Sequence, residues 1–137
     1  MGVIHNTVAK IARKYKTNNP FAIAKLKGIV LLYADLGETL GFYFYDSRIK
    51  FININNRLDE DLQRFVCAHE LGHAVLHPKS NTPFLKRQTL FSTDKIEREA
   101  NEFAVHLLLY DKNLEDYETR FDVLRENGIP LEMERYI

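Results

Sequence analysis

Leu62-Gln63-Arg64-Phe65-Val66-Cys67-Ala68-His69-Glu70-Leu71-Gly72-His73-Ala74-Val75-Leu76 is the segment on which the reading of this chain turns. Apolar residues recur at Leu62, Phe65 and Val66, and the same spacing runs on through His69 and His73. Offsets of three and four residues put these side chains on one face of an α-helix. The two imidazoles then lie about 40° apart and project together from the core-facing stripe, with Glu70 turned by about 100° from His69. A His-Glu-x-x-His pair of turns can grip one divalent ion and hold a carboxylate near a water on it. Polar groups on a stripe aimed at the core are costly without a partner, and a metal supplies one. Gly72, four residues after Ala68, leaves room for another backbone to approach closely.

The helix carrying this segment is expected from Leu58 to about Leu76. Asn55 or Asn56 is a candidate cap, and Asp59, Glu60 and Asp61 fall in the first turn, where the helix dipole favours them. Pro78 stops it. Upstream, residues 4–16 space Ile4, Val8, Ile11, Ala12 and Tyr15 as an amphipathic helix, closed by Asn18-Asn19-Pro20, and Phe21 to Lys27 forms a short second helical piece. Ile29–Tyr33, Thr39–Tyr45 and Ile49–Ile54 are rich in β-branched and aromatic residues, with Asp46-Ser47-Arg48 as a hairpin turn. They predict a small, mostly antiparallel sheet of about three strands. Phe42-Tyr43-Phe44-Tyr45 alternates one face to the core and one to solvent, which favours core and substrate edge over a stacking platform for nucleic acid.

Downstream, residues 78–91 read as a loop containing Pro78, Asn81 and Pro83. Ser92, Thr93 and Asp94 are candidate caps of a helix reaching about Tyr110. Leu114, Tyr117, Phe121 and Leu124 mark one more helix, closed by Asn127-Gly128, and Ile129-Pro130 begins a tail. The order helix, sheet, helices predicts an α+β fold. The organisation expected is one domain over 1–137: an N-terminal helical region (1–27), the sheet (28–54), the metal-site helices (55–110) and a helical tail (111–137).

Composition bounds the function. The chain has 137 residues, 45% hydrophobic and 12% aromatic, which excludes a disordered or low-complexity chain. Nineteen basic and nineteen acidic residues cancel, so no overall field draws in nucleic acid or an anionic membrane. The charge is uneven: residues 1–57 carry nine Lys and Arg against Asp35, Glu38 and Asp46, and residues 58–137 carry ten against sixteen acids. A basic N-terminal face could meet an acidic partner or DNA, and a solvated helix face is the simpler reading. The lone Cys67 excludes an intrachain disulfide framework and a Cys-based zinc site; about 160° from His69 around the helix, it reads as a buried thiol. No apolar run has membrane length, the opening Met1-Gly2-Val3-Ile4-His5-Asn6 has no signal-peptide stretch, and Asn6 stands where myristoylation needs Ser or Thr. A soluble, cytoplasmic protein is expected.

A third metal ligand must come from another element, since the extended three-histidine pattern fails: His77-Pro78-Lys79 offers no histidine at the needed place. The next helix presents Ile96, Ala100, Phe103, Ala104 and Leu107 as its apolar face. Glu97 and Glu99 flank that face on opposite sides, and helical geometry alone leaves them tied, while Glu102 points to solvent. His106 falls opposite Glu97, and His5 lies in the N-terminal stretch; neither is expected in the site.

The combination of His69-Glu70-Leu71-Gly72-His73, His77, and Glu97-Arg98-Glu99-Ala100-Asn101-Glu102-Phe103-Ala104 with Leu107-Leu108-Leu109 resembles the ImmA/IrrE family of metallopeptidases. The Gly128-Ile129-Pro130 tail is similar to members from mobile elements. The resemblance implies a minimal thermolysin-like (gluzincin) domain binding one Zn2+ per chain. In that group the third ligand is a Glu with a supporting polar residue four positions on, which fits Glu97 with Asn101 and not Glu99 with Phe103. It implies His69, His73 and Glu97 as metal ligands and Glu70 as the catalytic base. Asn101, His77 and Tyr110 follow as supporting or substrate-contacting candidates, with Tyr43 and Tyr45 as further options for oxyanion contact. The Ile49–Ile54 strand is the expected edge for an extended substrate. The implied activity is site-specific cleavage of a DNA-binding repressor of a phage or mobile element, an anti-repressor role. The alternative is an anti-repressor that sequesters its partner uncut. No direct nucleic-acid or membrane contact is expected.

Overall fold

A computed structural model describes residues 2–81 and 84–137. Pro83 of the expected long loop lies outside the described residues. Two helices come first, α1 (Val3–Tyr15) and α2 (Pro20–Leu26). The sheet follows as β1 (Val30–Ala34), β2 (Gly41–Asp46) and β3 (Ile49–Asn55). Then come α3 (Glu60–Leu76), α4 (Lys95–Leu108) and α5 (Arg120–Glu126), with short 3-10 turns at Arg87–Phe91, Leu114–Asp116 and Leu131–Tyr136. The architecture is the expected α+β arrangement with three strands.

Local chemistry accounts for the boundaries. Asn19 accepts from the backbone N–H groups of Phe21 and Ala22, and Pro20 stands at the first position of α2, where its missing N–H costs nothing. Ser47 and Arg48 both have positive φ (51° and 67°), as a two-residue hairpin with the right twist requires. Asp59, not Asn55 or Asn56, caps α3: its carboxylate accepts from Leu62 N–H at 2.8 Å. Gly128, at φ 67°, supplies the left-handed turn that ends α5. The helix expected from Leu114 through Leu124 is split. Leu114–Asp116 is a 3-10 turn, Tyr117 is extended, and Thr119 opens α5 by accepting from Asp122 N–H at 3.1 Å. Two good caps, Asn113 and Thr119, break what the apolar spacing reads as one helix.

The sheet corrects one expectation. Its order is β1-β3-β2, with β2 antiparallel to β3 and β1 parallel to it, so it is mixed and not mostly antiparallel. The tight hairpin makes β2 and β3 neighbours. The 35–40 connection then steps across β3, which leaves β1 running with it. Buried Asn55 pins that crossing, its side-chain amide donating to Gly37 O and Thr39 O, both at 2.9 Å. Hence the Ile49–Ile54 strand, expected as a substrate edge, is the centre of the sheet, paired on both sides. The edges belong to β1 and β2, and Leu85 already bridges to Gly41 on the latter.

Ile52, Ile54 and Tyr43 turn inward and are fully buried. Phe42 and Phe44 turn outward, where Phe44 stacks on Phe51 (centroids 4.5 Å apart) and Phe42 meets Phe84 (4.6 Å). The inner face packs against α3, and α3 lies along α4. Ile4, Val8, Ile11 and Ala12 of α1 join the same core with Phe65, Leu71, Phe103, Ala104 and Leu107. What approaches Gly72 is the Phe103 side chain, not a backbone: a Cβ at Gly72 would meet it at 3.1 Å. That contact sets the α3–α4 spacing beside the histidines. Lys50 of β3 donates to Ala74 O at 3.0 Å and ties the sheet to the end of α3. No described helix is long and apolar enough to cross a membrane.

Candidate metal centre

His69, Glu70 and His73 are each 1% exposed, on the stretch of α3 that faces α4. Glu97, in the first turn of α4, is 2% exposed, and Asn101, one turn on, is fully buried. The ligand-type atoms of His69, Glu70 and His73 all lie within 4.8 Å of one another. Glu97 Oε1 stands 3.0 Å from His69 Nε2 and 3.2 Å from His73 Nε2. Of the two acids that helical geometry leaves tied, Glu97 is the one brought to both imidazoles.

Hydrogen bonding fixes one ring outright. Asn101 Oδ1 lies 2.9 Å from His69 Nδ1. An amide oxygen only accepts, so Nδ1 carries a proton, and in the neutral ring Nε2 turns a lone pair toward Glu97. On the other side, His73 Nδ1 is 3.1 Å from His77 Nδ1, and His77 Nε2 is 2.9 Å from Glu99 Oε1. Neither oxygen of Glu70 has a hydrogen-bond partner among the described residues, nor has Glu97 Oε2.

These groups fit a divalent cation. A lone pair facing a carboxylate oxygen at 3.0 Å in a dry site is repulsive unless positive charge stands between them. Ligand atoms about 2.0–2.1 Å from one ion in tetrahedral array sit roughly 3.3 Å apart, close to the spacings of the two Nε2 atoms from Glu97 Oε1. Two nitrogens and an oxygen are a donor set suited to zinc, and the site is buried on α3 and α4 rather than on a loop.

The electrostatics separate the two buried carboxyls. Burial pushes Glu70 up to about 8, the Glu97 charge adds to this, and His73 opposes it. Burial also acts to raise Glu97, but hydrogen bonds from His69 and His73 and their positive charge, when those rings are protonated, outweigh it and hold that carboxyl at about 2; with neutral rings a bound cation would take that place. Two acids in one pocket with separated proton affinities are a common feature of acid–base sites.

The remaining candidates fall as follows. Tyr43 is buried and its hydroxyl donates to Pro78 O, just beyond α3, while Tyr45 is half-buried on the same side of β2. Tyr110 is not brought to the cluster. It lines a cavity of about 530 Å³ with His5, Val105, His106 and Tyr136. The helix expected to reach Tyr110 ends at Leu108, and Tyr110 sits in the turn that follows, beside Glu102 and His106 on the cavity side. His106 meets His5 edge-on at 5.4 Å, and burial lowers its proton affinity. Cys67 is buried and free, its thiol pushed up by burial. Glu99 as the partner of His77 has no signal in the sequence; only the tertiary packing of α3 on α4 shows it.

Comparison with known proteins agrees with this geometry. The family described as IrrE N-terminal-like domain, Peptidase M78, matches residues 24–135. The chain is 48% identical over 136 residues to the uncharacterized immunity region protein 2 of Bacillus phage phi105, covering 96% of this chain and 86% of that one. It is 36% identical over 115 residues to the metallopeptidase ImmA of Bacillus subtilis strain 168, covering 82% of this chain and 67% of that one. With buried histidines and acids set for a metal, and with these relatives, the chain belongs to the ImmA/IrrE metallopeptidase family.

Proposed function

We propose that the protein is a zinc-dependent endopeptidase that cleaves a transcriptional repressor of a phage or mobile element in the cytoplasm, and so acts as an anti-repressor. His69, His73 and Glu97 hold the ion, and Glu70 is the catalytic base. The observation that carries this reading is Glu70 itself: a buried carboxyl without a hydrogen-bond partner among the described residues, beside two imidazoles whose Nε2 atoms converge on a third ligand. A binding protein needs no such group, and a structural metal site gains nothing from an unpaired acid.

A zinc ion in this site supplies Lewis acidity and an activated water. The chain's own residues do the rest. Asn101 keeps His69 in the tautomer that presents Nε2. Glu70 takes the proton from the water as it attacks the peptide carbonyl, then passes it to the departing amine. Phe65, its ring 6.2 Å from that of His69, and the burial of the site keep it dry and strengthen each of these interactions. The names of the two relatives, immunity region protein and metallopeptidase ImmA, support a protein substrate tied to phage immunity.

The test is co-expression with a candidate repressor from the same genetic element, read by intact mass. Wild type is expected to yield one discrete fragment pair that sums to the repressor plus water, and Glu70→Gln none. A repressor that stays whole with both, yet leaves its operator with both, makes the protein a sequestering anti-repressor and refutes the proposal.

A further inference from the structure

We infer that Glu99 and His77 form a relay that fixes the second imidazole of the site, so that both glutamates of the Glu97-Arg98-Glu99 run serve the metal, one directly and one through two rings. The inference rests on the metallopeptidase reading and adds a positioning role that the ligand set does not contain.

The relay can be read inward from its outer end. Glu99 Oε1 lies 2.9 Å from His77 Nε2. A carboxylate only accepts, so His77 Nε2 carries a proton and donates it. A neutral imidazole with its proton on Nε2 has a lone pair on Nδ1. That lone pair faces His73 Nδ1 at 3.1 Å. Two ring nitrogens at this distance require that one donate, and only His73 Nδ1 is left to do so. The proton of His73 is then on Nδ1, and Nε2 is bare toward Glu97 at 3.2 Å. With His77 neutral, each step leaves one choice, and the last is the tautomer a metal ligand needs.

His69 reaches the same state by a shorter route, through Asn101 on the same helix as Glu99. Helix α4 thus supplies three groups in five residues. Glu97 faces both ligand nitrogens, Asn101 sets one ring and Glu99 sets the other through His77. Glu97 and Glu99 are about 200° apart around the helix and straddle its apolar face. This is why the two acids tie on helical geometry: each reaches the metal helix, on a different side. His77 is suited to bridge because it closes α3, one turn beyond His73, with its N–H still bonded to His73 O at 2.7 Å. Its side chain is 10% exposed and that of Glu99 32%, so the relay runs from the dry site toward solvent. An orienting partner of this kind is worth about 10–100-fold in metal affinity.

Three measurements on the zinc-loaded chain test this. Long-range proton–nitrogen NMR reads the tautomers: His73 is expected protonated at Nδ1 and His77 at Nε2. Chelator competition reads affinity: Glu99→Ala is expected to weaken zinc by about 10–100-fold, with a normal circular dichroism spectrum and melting transition. Glu99→Gln, which keeps an acceptor oxygen, is expected to retain most of the affinity and the His77 tautomer. Glu102→Ala, on the same helix but outside the relay, is expected to bind zinc as wild type does. Zinc binding by Glu99→Ala equal to wild type, or a wild-type His77 protonated at Nδ1, overturns the relay and leaves the metal site intact. A wild type that binds no zinc overturns both.

Discussion

Replacing Glu70 by Gln should make the metal-free protein more stable while abolishing its activity, and the gain should depend on pH. Glu70 is buried with neither oxygen hydrogen-bonded among the described residues, and its proton affinity is raised from 4.5 to about 8. The folded state therefore keeps this proton over a range in which the unfolded chain has lost it. Because the folded state binds more protons there, stability falls as pH rises from about 4.5, and levels off above about 8. Each tenfold change in proton affinity is worth about 1.4 kcal/mol, which puts the full effect at up to about 5 kcal/mol. The residual cost of burying an amide is about 1–3 kcal/mol, so the net gain for Glu70→Gln above pH 8 should be about 2–4 kcal/mol. Near pH 5 the wild-type carboxyl is neutral, and Glu70→Gln should be no more stable than wild type. Urea denaturation of chelator-treated protein at pH 5 and pH 8.5 reads this directly. Adding zinc should shrink the gap, because a nearby cation favours the charged carboxylate. Parallel stability curves for the two proteins between pH 5 and 8.5 would refute the reasoning.

Three further changes probe the supports of the site. Asn101→Ala removes the acceptor that orients His69 and should weaken zinc by about 10–100-fold in a chelator competition. Gly72→Ala places a Cβ 3.1 Å from Phe103; overpacking of this kind costs about 1–3 kcal/mol, read as a lower urea midpoint, and spreads α3 from α4. Asn55→Ala deletes both bonds to the 35–40 crossing and should cost about 1–3 kcal/mol without changing zinc stoichiometry, since it lies at the far end of β3 from Lys50.

The helices are readable because their signals are local. The apolar stripe through Leu62, Phe65 and Val66 and the breakers Asn19-Pro20, Pro78 and Gly128 are contained in short windows. Strand order is not: a hairpin announces β2 beside β3, but nothing in residues 35–40 announces that the chain has just crossed a strand. The signal is Asn55, a polar residue among β-branched ones, which reads as a helix cap until its amide is seen to hold the crossing. The same limit applies at the site. His69, Glu70 and His73 are given by helical period, and the choice of Glu97 comes from the family resemblance. The Glu99–His77 contact depends on how α4 is set against α3, a distance fixed by Phe103 on Gly72 and not written in either helix alone. Tyr110, expected near the metal, lies instead by His5 and His106, in the turn after α4 ends at Leu108.

The most direct test of the central claim is to strip the protein of metal and add zinc back in steps, following repressor cleavage by mass. Cleavage should rise in proportion to zinc, reach its plateau at one equivalent, and be absent at every step with Glu97→Gln. An uncut repressor at all zinc levels, or cutting that is full before any zinc is added, would contradict a peptidase built on His69, His73, Glu97 and Glu70.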